Sequence, residues 1–370
     1  EERISGAATL GAAIDYAVPA AYRGACLFPG VNHLTIRYDR VLKEGLEAYK
    51  RDIAARLALA ADGQEAAFLR SLDNVVEALR VWHARYLDAV REEKPAVYRA
   101  LQRVPFAPAR NFLEAVQALW FIFAFVRLCG NWPGIGRIDW LLGDYLQKDL
   151  AAKSEAREIL ASFFIKGCEW IQSQPRPGSG DAQHYQNIVL AGIDAAGREG
   201  TNGVTYLVLD IVEELAIADF PITVRLNSRS PERLLRKTAQ VMRHGGGIVA
   251  VYNEDLILRA LKNEGYPESE ARTFANDGCW EIQIPGKTDF AYMPFDALQV
   301  FNRVLGVDSD GPVPAYPSAE ALYQAFLEEL KQTVEQLYQS HVRDVFCCTN
   351  GRWRRREAAS PSSVVSLFED

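Results

Sequence analysis

The residues with the clearest chemical potential are Cys279 and Glu281, in the segment Asn276-Asp277-Gly278-Cys279-Trp280-Glu281. On an extended chain, side chains two residues apart project to one face about 6–7 Å from each other, which leaves room for a small substrate. A neighbouring carboxylate raises the pKa of a thiol, and the segment holds no activating histidine, so Cys279 is a poor ionic nucleophile. The pair suits hydrogen-atom transfer by a neutral thiol, with Glu281 moving protons. A turn that merely buries a cysteine is the competing interpretation.

Other short motifs in the sequence do not indicate a catalytic, nucleotide-binding or metal site. His244-Gly245-Gly246-Gly247 matches an oxyanion-hole sequence of some lipases, but the chain has no G-x-S-x-G nucleophile elbow. Gly134-Ile-Gly136 begins like a dinucleotide-binding fingerprint, yet Asp139 stands at the third glycine position and a helical pattern precedes it. The five histidines are scattered without metal-ligand spacing, so no metal site is predicted.

Composition narrows the class of protein. The chain has 370 residues, 49% of them hydrophobic, and a net charge of −7, which argues against a disordered chain and against nucleic-acid binding. Six cysteines without a C-x-x-C pair are too few for a disulfide framework, and a reducing cytoplasm is predicted. We expect no membrane span and no signal peptide. The first residue is Glu, so we interpret the chain as a fragment or a trimmed protein.

The periodicity of apolar residues predicts helices first and strands later. Spacings of three and four place Leu72, Val75, Leu79, Tyr86 and Val90 on one helix face. Short β-branched runs predict strands at residues 187–192, 222–226 and 248–252, with a helix over 231–244 and another over 268–275. The chain is therefore expected to be mostly helical to about residue 180 and α/β from about 185, as a sheet or barrel with helical crossovers.

At the cysteine motif the chain resembles the glycyl radical enzymes of the pyruvate formate-lyase-like family, in the branch of dehydratases and lyases. The family motif Gly-Cys-Val-Glu-Pro, followed by Pro-Gly-Lys-Thr, is similar to residues 278–282 and 285–288. Further similar segments follow the family order over about residues 30–300: Arg110–Trp120, Gly136–Asp139, Gln186–Asn202 and Gly247–Asp255.

The resemblance implies the fold, the chemistry and the partners. The fold class is α/β, a ten-stranded barrel core of the glycyl-radical-enzyme type, here incomplete, surrounded by helices and spanning residues 1–370. Cys279 is the implied thiyl residue and Glu281 the implied general acid or base. No cofactor is bound tightly: a protein glycyl radical, installed by an iron–sulfur S-adenosylmethionine activating enzyme, supplies the hard chemistry. The Arg-Val-x-Gly-Tyr glycyl segment is absent from these 370 residues, so the radical domain is expected on another chain, trimmed or lost. A homodimer is compatible with the family.

Departures from the family motifs guide the substrate prediction. Asn131 and Trp132 stand where diol dehydratases have His-Ser, and Tyr292 and Met293 stand where they have His-Asp. A bulkier and more apolar substrate than a diol therefore fits, and the predicted pocket residues are Asn131, Trp132, Trp280, Tyr292 and Met293. His33 is a further predicted pocket residue, because Asn32-His33 resembles the context of a substrate histidine in the family. Trp280 replaces the second cysteine of pyruvate-cleaving members, which argues against formate acetyltransferase activity.

Three functions remain open. The first is cleavage of a C–O, C–N or C–C bond in a small, partly apolar molecule by a glycyl radical lyase. The second is radical decarboxylation of an aryl or alkyl carboxylate, which Glu281 also allows. The third is a scaffold or fragment without radical chemistry.

Overall fold

The computed structural model describes ten stretches of the chain, namely residues 32–60, 63–128, 132–149, 155–168, 186–216, 220–245, 249–278, 280–291, 297–307 and 311–349. His33, Trp280 and Glu281 lie within these ranges, and Trp132 is described in its backbone. Asn131, Cys279, Tyr292 and Met293 lie outside the described residues.

Helices dominate the described chain up to Cys168. They are α1 (Tyr38–Glu44), α2 (Leu46–Leu59), α3 (Gly63–Val90), α4 (Pro95–Leu101), α5 (Phe112–Leu128), α6 (Ile138–Lys148) and α7 (Ala156–Cys168). In α3 the predicted face is confirmed at Leu79, which is buried, and wrong at Val75 and Tyr86, which are exposed. The buried face runs instead through Leu69, Val76, Leu79 and His83, the stripe of spacing seven, three and four by which α3 joins the core.

A parallel three-stranded sheet follows, in the order β3 (Ile188–Ala191), β4 (Ile222–Leu226), β5 (Val249–Asn253). Helix α8 (Gly203–Leu215) crosses from β3 to β4, and α9 (Glu232–Met242) crosses from β4 to β5. Every residue of β3 is buried, as expected for a parallel strand covered on both faces. The sequence prediction of an α/β fold with helical crossovers is confirmed.

The remaining strands form a second sheet and a hairpin. Strand β1 (Asn32–Leu34) pairs in parallel with β2 (Trp132–Pro133) and antiparallel with β8 (Asp289–Ala291). The hairpin consists of β6 (Ala275–Asp277) and β7 (Glu281–Gln283). The remaining helices of the described chain are α10 (Glu254–Asn263), α11 (Glu268–Ala271), α12 (Ala297–Leu305) and α13 (Ala319–Thr349). No helix within the described ranges has the length and apolarity needed to cross a membrane.

The predicted helix over residues 268–275 is wrong in its second half. Helix α11 ends at Ala271, and Ala275 already belongs to β6, where it faces Gln283. Phe274 and Ala275 are fully buried. Burial and strand pairing of these residues therefore override a local helical preference, which amounts to only a few tenths of a kcal/mol per residue, roughly 0–0.7.

Candidate active site

The site is built around the tight turn of the β6–β7 hairpin. Asp277 and Glu281 are paired across the two strands, and Gly278, Cys279 and Trp280 connect them. Gly278 has φ +53° and Trp280 has φ +82°, both in the left-handed region. The Trp280 amide donates to the Asp277 carbonyl at 3.1 Å. The expectation of an extended run through Trp280 is therefore wrong, because the chain reverses there to bring β7 beside β6.

His33 occupies the space that a side chain at position 278 would need. A Cβ on Gly278 would lie 1.7 Å from His33 Nδ1, so this turn requires glycine both for its φ and for the closeness of the imidazole. His33 is 1% exposed, and its carbonyl accepts from Gln283 Nε2 at 2.8 Å. The backbone of His33 is therefore bonded to β7, and its imidazole lies against the hairpin turn.

His33 and Glu281 form the polar pair of the site. His33 Nδ1 lies 3.3 Å from Glu281 Oε2, and the Glu281 side chain is 16% exposed. This distance is that of a close ion-pair contact, and the low exposure limits competition from water. The arrangement can therefore donate or accept a proton next to the turn that carries Cys279.

Asp277 is a second carboxyl group in the site, and the sequence reading gave it no role. It is fully buried; its Oδ2 accepts from the Gly134 amide at 2.9 Å and its Oδ1 from the Gly278 amide at 2.8 Å. Burial raises the pKa of Asp277 well above its ordinary value, and the charge of Glu281 raises it further, whereas the amide hydrogen bonds oppose the rise. The register of the hairpin is the information that would have identified Asp277, because a hairpin that turns at Gly278–Trp280 places Asp277 opposite Glu281.

Two side chains from the parallel sheet bind carbonyl groups of the turn. Asn187 Nδ2 donates to the Gly278 carbonyl at 3.1 Å, and the Tyr252 hydroxyl donates to the Trp280 carbonyl at 2.5 Å. Burial raises the pKa of Tyr252 to about 12; the nearby Asn276 amide opposes the rise, and the charge of Glu281 adds a smaller increase. The phenol therefore stays protonated near neutral pH and keeps its role as donor.

A buried ion pair anchors the chain that leads into the hairpin. Arg225 on β4 and Glu254 at the start of α10 are both fully buried and hydrogen-bonded to each other. Arg225 also donates to the Phe274 carbonyl at 2.8 Å and the Arg272 carbonyl at 2.9 Å. Burial lowers the pKa of Arg225 to about 9, which still leaves it charged at neutral pH. The parallel sheet thereby fixes the entry to β6.

The Gly136–Asp139 segment, which carries part of the family resemblance, is structural. Arg137 donates to the carbonyls of Ala191 at 2.8 Å and Ile193 at 2.9 Å. Asp139 accepts from the Ala191 amide at 2.6 Å and from the Thr205 hydroxyl at 2.7 Å. These bonds join α6 to the end of β3 and to α8. The segment therefore holds the sheet that carries Asn187 and Tyr252.

The structure brings together four of the predicted site residues. His33 and Glu281 are in contact, Trp280 forms the turn, and the backbone of Trp132 pairs with His33 in the β1–β2 register. Asn131, Cys279, Tyr292 and Met293 lie outside the described residues, so their roles stay predictions. Among the described residues, no group of three His, Cys, Asp or Glu side chains is arranged to hold a metal ion.

Comparison with known proteins finds relatives in sequence and neighbours in fold. The isethionate sulfite-lyase of Desulfovibrio desulfuricans is 26% identical over 349 residues, which cover 81% of this chain and 42% of that protein. The trans-4-hydroxy-L-proline dehydratase of Clostridioides difficile is 24% identical over 81% of this chain and 43% of its own length. A solved glycyl radical enzyme from Archaeoglobus fulgidus superposes with a TM-score of 0.68 at 22% identity, over 87% of this chain and 46% of that one.

The chain thus spans less than half the length of these relatives. The structural likeness confirms the predicted α/β fold of the glycyl-radical-enzyme type. The family model described as pyruvate formate lyase-like matches residues 20–370, almost the whole sequence. The chain therefore belongs to the pyruvate formate lyase-like family.

Proposed function

We propose that this chain is the part of a glycyl radical lyase or dehydratase that carries the hydrogen-transfer cysteine and its proton-transfer partners. The observation that carries the proposal is the contact of His33 Nδ1 with Glu281 Oε2 at 3.3 Å, beside the turn that contains Cys279. The reaction class is cleavage of a C–O, C–N or C–C bond in a small, partly apolar molecule.

The surroundings of the turn suit radical chemistry. A glycyl radical on a separate protein segment, installed by an iron–sulfur S-adenosylmethionine activating enzyme, would supply the ability to remove an unactivated hydrogen atom. Asn276, Asp277 and Gly278 are buried, so the approach to the turn along β6 is shielded from water. We assign hydrogen-atom exchange with the substrate to Cys279, and the activating enzyme is the partner that this assignment requires.

Glu281 and His33 would handle the protons of the reaction. Loss of water or an amine requires one group to take a proton from the substrate and another to protonate the leaving group. A carboxylate and an imidazole in close contact face the same substrate, and each of these side chains can accept a proton in one protonation state and donate it in the other. Glu281 is the group we assign to direct proton exchange with the substrate.

A panel of substrates tests the reaction class. The full-length protein is activated anaerobically and incubated with small hydroxylated, aminated and carboxylated compounds, and the released water, amine or carbon dioxide is measured. Release of water or an amine supports the lyase. Carbon dioxide as the sole released product would favour the decarboxylase instead. Absence of turnover from a protein that carries the radical would favour the scaffold.

A conservative variant tests the proton role. Glu281→Gln retains the shape of the side chain but removes its titration, and general acid–base groups contribute about 10²–10⁴-fold to rates. Glu264→Gln is the matched control, since Glu264 is exposed at the end of α10. Equal turnover by the two variants would contradict the assignment.

A further inference from the structure

We propose that Asn187 and Tyr252 are positioning residues that fix the two ends of the Gly278–Trp280 turn and thereby aim Cys279 at the substrate. The catalytic part of this inference rests on the proposed function. The positioning part rests on hydrogen bonds within the described residues and has its own measurement.

The two residues hold carbonyl groups on opposite sides of position 279. Asn187 Nδ2 binds the Gly278 carbonyl at 3.1 Å, and the Tyr252 hydroxyl binds the Trp280 carbonyl at 2.5 Å. The Gly278 carbonyl belongs to the peptide group that leads into residue 279. The Trp280 carbonyl belongs to the peptide group that leads into Glu281. We call each of these two hydrogen bonds a clamp. The Asn187 clamp holds the chain just before the cysteine, and the Tyr252 clamp holds it between the cysteine and the carboxyl group of Glu281.

Both clamps are mounted on rigid elements. Asn187 directly precedes β3, is fully buried, and accepts with its own carbonyl from the amides of Ile135 at 2.9 Å and Gly136 at 3.1 Å. Tyr252 lies in β5, which pairs with β4 over five residue pairs. Side chains on such rigid elements hold a bound group in a more precise position than side chains on loops do. The parallel sheet therefore fixes the position of the turn through Asn187 and Tyr252.

The turn needs such support because its conformation is unfavourable for its sequence. Trp280 has φ +82°, a region that non-glycine residues rarely adopt. Its amide donates to the Asp277 carbonyl at 3.1 Å, so the peptide group between residues 279 and 280 is also hydrogen-bonded. The Tyr252 hydroxyl binds the carbonyl of Trp280 itself. The peptide groups before and after the Trp280 Cα atom are therefore both hydrogen-bonded, and these bonds oppose a change of φ to a more favourable value.

Loss of one clamp should slow the chemical step more than it weakens substrate binding. Transfer of a hydrogen atom needs the reacting atoms nearly in contact, and a displacement of about 1 Å can cost about 10²-fold in rate. Tyr252→Phe removes only the hydroxyl that binds the Trp280 carbonyl. We expect kcat to fall by about tenfold or more while KM changes by less than about twofold.

The matched control is Tyr316→Phe. The Tyr316 hydroxyl also donates to a backbone carbonyl, that of Val304 at 2.7 Å, but at the end of α12 and far along the chain from the hairpin. Both variants lose one phenol-to-carbonyl bond, so the kcat effect should be confined to Tyr252→Phe. Full-length protein, activated anaerobically, is compared in parallel for wild type and both variants.

Amide hydrogen exchange provides a readout that is independent of activity. The Trp280 amide should exchange about fivefold faster in Tyr252→Phe than in wild type, the effect of losing about one net hydrogen bond, and should be unchanged in Tyr316→Phe. Unchanged exchange in Tyr252→Phe would overturn the clamp. Faster exchange with unaltered kcat would overturn its catalytic role. Absence of turnover in the wild type would count against the proposed function, and the exchange result would still decide the clamp.

Discussion

Replacement of Gly278 by alanine tests the packing of His33 against the hairpin turn. Position 278 has φ +53°, where an L-residue is disfavoured by about 1–2 kcal/mol. The new Cβ would lie 1.7 Å from His33 Nδ1 and 2.1 Å from Cε1, so the ring must move. The ring is 1% exposed and its strand is paired on both sides, so it has no solvent to withdraw into.

The expected cost of Gly278→Ala is the sum of these two effects. Overpacking a filled interior costs about 1–3 kcal/mol, so the total loss in free energy of unfolding is about 2–5 kcal/mol. Gly245→Ala isolates the backbone part, because Gly245 has φ +73° and a Cβ there meets no described atom within 4 Å. We expect Gly245→Ala to cost about 1 kcal/mol.

Urea unfolding followed by tryptophan fluorescence measures both variants, and His33→Ala completes a double-mutant cycle. Removal of the imidazole frees the space that the new methyl group needs. In the His33→Ala background, Gly278→Ala should therefore cost about the same as Gly245→Ala, roughly 1 kcal/mol. If Gly278→Ala costs no more than Gly245→Ala in the wild-type background, the close approach of His33 to the turn is refuted.

Three further predictions concern charge. Burial raises the folded pKa of Asp277, so its contribution to stability is present below the unfolded value of about 3.9 and is lost as pH rises through the folded pKa. In urea unfolding from pH 4 upward, the free energy of unfolding of the wild type should fall by up to about 1.4 kcal/mol per pH unit relative to that of Asp277→Asn. A rise with pH instead would mean that the amide donors keep the Asp277 carboxylate ionised. Glu254→Gln leaves Arg225 buried without its counter-charge and should lower the free energy of unfolding by about 3–5 kcal/mol. The exposed control Glu264→Gln should lower it by less than about 0.5 kcal/mol, and equal losses in the two variants would contradict the role of this ion pair. The rate loss of Glu281→Gln should persist at saturating substrate, whereas a change in KM alone would assign Glu281 to binding.

The strands of the parallel sheet were predictable because their signal is local. Strand β4 coincides with the predicted run of residues 222–226, and β3 and β5 each differ from the predicted runs by one residue at both ends. Runs of β-branched residues bounded by Gly, Pro or Asn carry that signal in the sequence itself. Part of the face of α3 and the strand β6 were mispredicted because neighbouring elements decide which residues of a segment are buried.

The candidate site was predictable only in part. Glu281 came from its spacing and from the family motif, and His33 from its resemblance to a family segment. Asp277, Asn187 and Tyr252 were missed because their roles depend on hydrogen bonds across 28 to 143 sequence positions. Such contacts leave no periodic pattern, so only the folded chain reveals them.

Substitution of Cys279 tests the central claim most directly. With the substrate identified by the panel, turnover is measured in anaerobically activated full-length protein for Cys279→Ala and for Cys168→Ala, a control at the end of α7. A thiol that exchanges hydrogen with the substrate cannot be replaced by a methyl group, so Cys279→Ala should show no turnover above background, and Cys168→Ala should retain the wild-type rate. Undiminished turnover by Cys279→Ala would contradict the proposed chemistry.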